Sequence, residues 1–542
     1  MSGVTRIEVG ISEADGIKNA ITTDLGLSVD KVLAVNVYTI DGENLSHKDV
    51  DFLAREVFSD PIIEKYTIDS PLAEPFDGSI VEIGFKPGVT DNVGRTSKEA
   101  IKDALNIDVA GAYYSRQFLF YGVTEDVAEK IVKNLLANSL IERWDVKSGV
   151  EYQGFPPFVP KVILNSNTTV EEIDLNVKDE ELVEISKNRL LALNLEEMRA
   201  LQSHYMKSKN DRITRGLSEN PTDIELECLA QTWSEHCKHK IFNALIDYEE
   251  PGKKEQINSI FKTYIQGSTE EINSPYLVSI FKDNAGVIQF DKDHIFSMKV
   301  ETHNSPTALD PYGGALTGIV GCNRDPAGTG KGFQLIFNTD VFCFGSPFFE
   351  GKIPPRLFHP RRVLKGVHKG IIDGGNQSGI PTVNGSLYFD ERYIGKPLVF
   401  CGTGGIAPTK IADKYVHEKA PLPGDLAIMV GGRIGADGIH GATFSSLEIN
   451  ENSPNTAVQI GSPIVQKKML DFLLEARDLD LLNALTDNGA GGLSSSFGEM
   501  GEETGVRLDL EKAPLKYSGL QPWEILLSEA QERMSLLSLR RI

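Results

Sequence analysis

The run Lys299-Val300-Glu301-Thr302-His303-Asn304-Ser305-Pro306 sets a cation, a carboxylate and an imidazole at alternate positions. On an extended strand, Lys299, Glu301 and His303 share one face, while Val300 and Thr302 take the other. A glycine-rich connection follows through Gly313-Gly314, Gly318 and Gly321 and ends at Arg324-Asp325. Lys299 suits a phosphate as a point charge, and Arg324 suits a bidentate contact to phosphate or carboxylate. Glu301 and Asp325 are hard oxygen ligands for Mg2+ shared with phosphates. His303 is a base near neutral pH. The set predicts a site that holds Mg-ATP beside a second anionic substrate and moves a proton. A charged strand edge with a solvated histidine would explain any one of these residues, but it explains the whole set poorly.

Ser234-Glu235-His236-Cys237-Lys238-His239-Lys240 gathers two histidines and two lysines where a helix should end. It admits a Cys–His nucleophile pair, a metal pair from His236 and His239, or a basic helix terminus facing the helix dipole. Gly435–Gly441 reads as a tight turn with a polar tip. Asp487–Gly492 reads as a glycine-rich loop entering a helix, with one more carboxylate for Mg2+. Glu529–Met534 is charged and helix-like. Gly328-Thr329-Gly330-Lys331-Gly332 is not a phosphate-binding P-loop, because Gly332 stands where Ser or Thr should be. No dinucleotide-binding glycine fingerprint is present either, so phosphate handling needs another architecture.

The elements that must position these residues alternate strand and helix. Strands are expected at Arg6–Ile11, Leu33–Ile40, Ser79–Phe85 and Ala112–Tyr121, with helices at Lys48–Val57, Ser97–Leu105 and Glu125–Leu140. That order suggests a small ferredoxin-like α+β sandwich without a catalytic cluster. A Pro-rich linker follows at Gly154–Pro160, then a charged, helix-prone stretch over 175–220. Thr222-Asp223-Ile224-Glu225 forms a capping box that opens a helix towards Ser234. Further on, strands are expected at Ile295–Val300, Phe333–Phe337, Leu398–Cys401 and Asp425–Val430. Helices are expected at Arg361–Ile372, stopped by Gly374-Gly375, and at Ser462–Leu474.

The chain has 542 residues, a formal net charge of −22 and five cysteines. Its length calls for several domains. The acidic balance argues against nonspecific nucleic-acid binding, so anionic substrates must be held by local cations or Mg2+. Five widely spaced cysteines support neither a disulfide framework nor a zinc site. No leader-like N-terminus and no apolar run of membrane-spanning length is present, so the expected address is cytoplasmic, with no membrane partner.

Taken in order, Trp233–Cys237, Lys299–Pro306, Gly313–Asp325, Gly379–Val383, Gly435–Ala442, Val458–Gly461, Asp487–Ser496 and Glu529–Met534 resemble the formylglycinamide ribonucleotide amidotransferase family, also called phosphoribosylformylglycinamidine synthase. It lies within the aminoimidazole ribonucleotide synthetase-like superfamily. The resemblance implies an α/β (α+β) fold in four parts. These are a ferredoxin-like domain over 1–152 similar to the bridging subunit, a linker domain over 153–222, a synthetase-like N-terminal domain over 223–415, and an incomplete C-terminal domain over 416–542. It implies His236 and His303 as catalytic residues, with His303 the proton acceptor. Lys299 and His239 would contact ATP, His239 standing where some members have Tyr. Glu301 would bind one Mg2+, and Asp325 with Asp487 another. Thr302, His303, Asn304, Ser305, Arg324, Gln459, Glu529, Ala530 and Gln531 would line the substrate site. Ser305 replaces a His, and Ala530 a Ser, found in many members.

The implied reaction is ATP-dependent conversion of formylglycinamide ribonucleotide and ammonia to the amidine through an iminophosphate. Ammonia would come from a glutaminase domain or subunit outside this chain. The family pattern also implies a second synthetase half, which this sequence does not contain. The 535–542 tail departs from the pattern, and an incomplete product is expected. The rival expectations are a non-catalytic scaffold half, or another ATP-dependent synthetase or kinase of the superfamily.

Overall fold

The structure is a computed structural model that describes residues 3–162, 168–353, 357–441 and 461–539. Gln459, the rest of 458–460, Ala442 and residues 540–542 lie outside the described residues. By contacts the chain divides into Met1–Val162 and Ile163–Ile542.

The first unit is built on a six-stranded sheet. Its strands are β1 (Val4–Glu13), β2 (Val32–Asp41), β3 (Tyr66–Ile68), β4 (Gly78–Phe85), β5 (Gly111–Tyr121) and β6 (Glu142–Ser148), in the order β3-β1-β2-β5-β4-β6. Helices α1 (Asp15–Leu25), α2 (His47–Phe52), α3 (Asn92–Leu105) and α4 (Glu125–Ile131) accompany it. Strand alternation sorts the side chains. Val81, Ile83, Phe118 and Phe120 pack with Ile21 of α1 and Ile131 of α4. Val35, Val37, Ile80 and Leu119 point the other way and meet Tyr152 and, from the Pro-rich segment, Phe155. Among them lies a buried charged row. Arg6 donates to Glu8 and Glu82, and Ser115 and Gln117 donate to the same carboxylates. The sequence reading anticipated β1, β2, β4 and β5 but not α1, β3 or β6.

In the second unit, α5 (Asp179–Asn188), α6 (Leu195–Thr214) and α7 (Asp223–Thr232) pack around Leu182, Met198, Leu201 and Leu226. Thr222 and Glu225 form the expected capping box on α7. Then come α8 (Glu235–Lys238), the hairpin β7 (Leu245–Glu250) and β8 (Lys253–Asn258), and α9 (Gly267–Ile272). A second six-stranded sheet follows, ordered β13-β12-β14-β11-β10-β9. Its strands are β9 (Leu277–Ser279), β10 (Gly286–Gln289), β11 (His294–Thr302), β12 (Gln334–Phe344), β13 (Thr382–Phe389) and β14 (Leu398–Pro408). Helix α10 (Asn304–Leu309) leads into α11 (Pro311–Ala327), which with α12 (Pro360–Ser378) covers one sheet face over Phe344, Val399 and Cys401.

Three local expectations are corrected. The glycine-rich stretch after Pro306 is a buried helix, because its glycines admit neighbours. A Cβ on Gly314 would lie 2.5 Å from Thr307 Cα, and one on Gly321 would lie 2.7 Å from Gln531 Oε1. Helix α12 does not stop at Gly374-Gly375 but runs to Ser378, with Gly379 left-handed at its end. Gly370 and Gly374 serve packing instead, against Tyr312, Ala315 and Ile319 of α11. Finally, Glu529–Met534 is not helical. Residues 529–532 form a buried loop, and Arg533 opens strand β19.

After two short paired strands, β15 (Lys410–Ile411) and β16 (Lys414–Tyr415), a third sheet is ordered β17-β19-β18, from β17 (Leu426–Gly431), β18 (Leu482–Asp487) and β19 (Arg533–Ser538). Helix α13 (Pro463–Asp478) packs on it through Met469, Leu473 and Ala476, and α14 (Gly492–Met500) through Leu493 and Phe497. Helix α15 (Pro522–Leu527) leads into the 529–532 loop.

Candidate active site

Three elements converge on one cluster of charge: the end of β11, the C-terminal turn of α11, and the loop after β18. Lys299 and Glu301 share a face of β11, as alternation requires. The Lys299 ammonium lies 2.7 Å from Asp325 and 3.6 Å from Glu301, and it donates to the Asn284 carbonyl at 2.9 Å. Asp325 and its neighbour Arg324 end the buried helix α11. Arg324 lies 2.7 Å from Asp487 and donates to the Ala530 carbonyl at 3.1 Å. A Cβ on Gly489 would lie 2.4 Å from Arg324 Nη2 and 2.8 Å from Asp487, so glycine is what lets the loop close on the guanidinium.

The electrostatics follow from burial and crowding. Burial, then the nearby Glu301 and Asp487 carboxylates, push the Asp325 carboxyl well above its usual range, against the pull of Lys299 and Arg324. Burial opposes the Lys299 charge, but Asp325 and Glu301 more than offset it and raise its pKa. Three carboxylates thus share two cations. A divalent cation would relieve the same repulsion, so the donor set fits Mg2+ held by one or two carboxylates and completed by phosphates. Among the described residues, no group of three or more His, Cys, Asp and Glu side chains is gathered as an all-protein metal site.

His303 follows β11 and caps α10. Its Nδ1 lies 2.7 Å from the Gly314 carbonyl, which can only accept, so Nδ1 carries the proton and Nε2 keeps its lone pair. Burial lowers its pKa to about 4, so the ring is neutral at physiological pH. Gly318 permits this seat, since a Cβ there would come within 3.3 Å of both His303 Cβ and Cys401 Sγ. The helical spacing of Gly314, Gly318 and Gly321 was the sequence signal for this packing, and it reads as a loop signal until the helix is seen.

His236 lies on α8, which Ser234 caps through Cys237 N. Desolvation lowers its pKa, while the charge of Glu301 raises it and those of Arg324 and Lys299 lower it, which ties its ring electrostatically to the cluster. Atoms packed around its sulfur raise the Cys237 thiol although the residue as a whole is exposed, which opposes a Cys–His nucleophile. His239 is exposed, sits left-handed at the α8 terminus with φ 51°, and acts on His236 as a like charge.

The expected substrate residues divide. Ser305, Glu529, Ala530 and Gln531 are buried. Ala530 N donates to the Asn488 carbonyl, and Gln531 O accepts from Gln466. Asn304 Oδ1 is occupied by Val399 N at 2.8 Å. Thr302 is exposed, on the opposite strand face from Glu301. Gln459 falls outside the described residues. Asn284 was not anticipated, and Asn488 and Gly489 were read only as parts of a glycine-rich loop, because their contributions are backbone contacts and close approach.

Comparison with known proteins gives this geometry its context. The formylglycinamide ribonucleotide amidotransferase linker domain matches residues 182–240. The N-terminal and C-terminal domains of AIR synthase related proteins match 282–407 and 423–540. Over these segments the chain is similar to AIR synthase related proteins and, among them, to PurL. Phosphoribosylformylglycinamidine synthase subunit PurL of Thermoplasma acidophilum is 38% identical over 361 residues, covering 66% of this chain and 43% of that protein. Its counterpart in Thermoplasma volcanium is 36% identical over 363 residues, with the same coverage. A solved structure of T. maritima PurL complexed with FGAR is 29% identical with a TM-score of 0.46, and the match covers 62% of this chain and 48% of that one. The chain thus spans less than half the length of the PurL relatives it matches. Among the described residues, no helix is long and apolar enough to cross a membrane.

Proposed function

We propose that this chain carries the first half of the ligase site of a phosphoribosylformylglycinamidine synthase. The reaction is ATP-dependent conversion of formylglycinamide ribonucleotide and ammonia to formylglycinamidine ribonucleotide, with ADP and phosphate as by-products. The observation that carries the reading is His303, a neutral imidazole with its free Nε2 beside an Arg–Lys–carboxylate cluster. ATP phosphorylates the amide oxygen, giving an iminophosphate, and ammonia adds at that carbon and displaces phosphate. His303 Nε2 takes a proton from the attacking nitrogen, and the Gly314 carbonyl stabilises the imidazolium formed. Lys299 and Arg324 stabilise charge on the transferring phosphoryl group and on the phosphorylated oxygen. His236 flanks the same cluster as the second histidine, and His239 borders the ATP end. Asn304, Ser305 and the Glu529–Gln531 loop hold the ribonucleotide, with Thr302 at its margin. Glu301, Asp325 and Asp487 would hold Mg2+, which supplies Lewis-acid charge neutralisation of the phosphates. Ammonia comes from a glutaminase, and the rest of the synthetase corresponds to the part of the PurL relatives that is not matched here.

The test is ADP formation from Mg-ATP, formylglycinamide ribonucleotide and ammonium chloride, with the chain alone and after addition of the C-terminal half of a PurL relative. Turnover that requires the ribonucleotide and falls at least a hundredfold in His303→Ala supports the reading. ATP turnover indifferent to both would overturn it, as would none in the reconstituted pair.

A further inference from the structure

Arg533 is wholly buried at the start of β19. Its Nη2 donates to Ser528 Oγ at 3.3 Å, but Nε and Nη1 have no hydrogen-bond partner. No carboxylate comes within ion-pair distance among the described residues. Glu532 and Asp437 act on it only from further off, and Arg324 repels it. The chain does pair other buried guanidiniums. Arg6 binds two carboxylates, and Arg212 binds Glu225 at 2.7 Å. A buried guanidinium without its counter-charge is strongly unfavourable and persists only where something else supplies that charge.

The neighbouring atoms point to what that is. Asn488 N donates to the Arg533 carbonyl at 3.2 Å, while Asn488 Nδ2 is buried and also lacks a partner. Its Oδ1 already accepts from Ser535 Oγ, so the unmet capacity is that of a donor. Three unmatched donor atoms, two of them cationic, thus belong to two residues joined by a backbone hydrogen bond, and the guanidinium reaches Ser528, whose Oγ, with Glu529 N, donates to the Asp437 carbonyl. Such a set calls for an oxyanion.

We propose that Arg533 is a second anion-binding guanidinium of the site, which with Asn488 takes the phosphate monoester of the substrate when the Ser528–Gln531 loop shifts to admit it. The proposal rests on the Proposed function only in taking that loop as the substrate loop. Arg324 would then serve the reacting end of the substrate and Arg533 its distant phosphate.

The test compares thermal unfolding of the full chain, Arg533→Met and Arg533→Lys in chloride, in inorganic phosphate at matched ionic strength, and with formylglycinamide ribonucleotide. Arg533→Met should melt higher than the parent in chloride, because it removes an uncompensated charge. It should also lose more than half of the phosphate-induced rise, which Arg533→Lys partly keeps. A lower melting temperature or failure to fold for Arg533→Met would make Arg533 a structural tie and overturn the proposal. So would an undiminished phosphate response. Phosphate protection that depends on Arg533, with no response to the ribonucleotide, would keep this site and sink the ribonucleotide reading instead.

Discussion

Asp340 lies in the middle of β12, 2% exposed, and among the described residues no donor but the Cys401 thiol answers its carboxylate. Burial raises its pKa to about 7, eased only by the Cys401 thiol across the strand pair. A carboxyl that titrates near 4 when unfolded and near 7 when folded binds more protons in the native state between those values. Stability therefore falls as pH rises through that window, and the whole penalty is in force above it. That difference corresponds to roughly 4 kcal/mol, an upper value that water penetration reduces to about half. Asp340→Asn has the same shape without the charge. It should match the parent near pH 4.5 and exceed it by about 2–4 kcal/mol at pH 8. For a cooperative unit of this size, unfolding entropy near 0.8 kcal/mol/K makes that a rise of roughly 3–5 °C. Calorimetric or fluorescence-detected melting at pH 4.5, 6, 7 and 8 reads the difference directly. A variant no more stable than the parent at pH 8, or a difference that does not grow with pH, would refute the account of Asp340 as a strained buried carboxylate.

Four further outcomes are expected. Gly318→Ala should displace His303 and lower turnover in the reconstituted enzyme at least tenfold, with a folding loss of about 1–2 kcal/mol by denaturant titration. Gly489→Ala should push Arg324 away from Asp487 and weaken ribonucleotide binding more than ATP binding, as measured by calorimetry. In the pH–rate profile, the limb assigned to the base should lie well below the ordinary histidine value. His303 stays neutral and competent above about 4, and activity through it is lost as pH falls through that value. Glu82→Gln should destabilise the first unit by about 3 kcal/mol, because Arg6 and its partners hold the Glu82 carboxyl below the usual range despite burial. That contribution is present above the unfolded value and lost as pH falls, so the variant and parent should converge in acid.

The sequence made strand-borne chemistry readable because alternation is local. Lys299 and Glu301 could be assigned to one face before any fold was known, and the capping box at Thr222 announced α7. What escaped was anything set by close approach. Gly313–Gly321 carries little helix propensity, yet the helix forms because His303, Thr307 and Gln531 need the space its missing side chains leave. The same holds for Gly374, where a helix stop in isolation becomes a contact with Ile319. Glu529–Met534 has a helix-like composition, but its charges are buried in a loop and a strand, an outcome decided by β17 and β18 on either side of β19. The lone donors of Arg533 have no sequence signal at all, since a missing partner can be recognised only once the neighbours are placed.

The charged row of the first unit carries a consequence beyond stability. Arg6 on β1 and Glu82 on β4 are separated in the sheet by β2 and β5, yet they meet over Val37 and Ser115. Their contact therefore reads the alignment of four strands at once. A slip of one residue in any of them would send a charge to the helix-covered face, and a slip of two would leave it buried and alone. Apolar neighbours such as Val35 and Ile80 tolerate substitutes of similar size and cannot make that distinction. The row acts as a checksum on strand register, and chains that pair wrongly should remain open to proteolysis rather than settle into a near-native sheet.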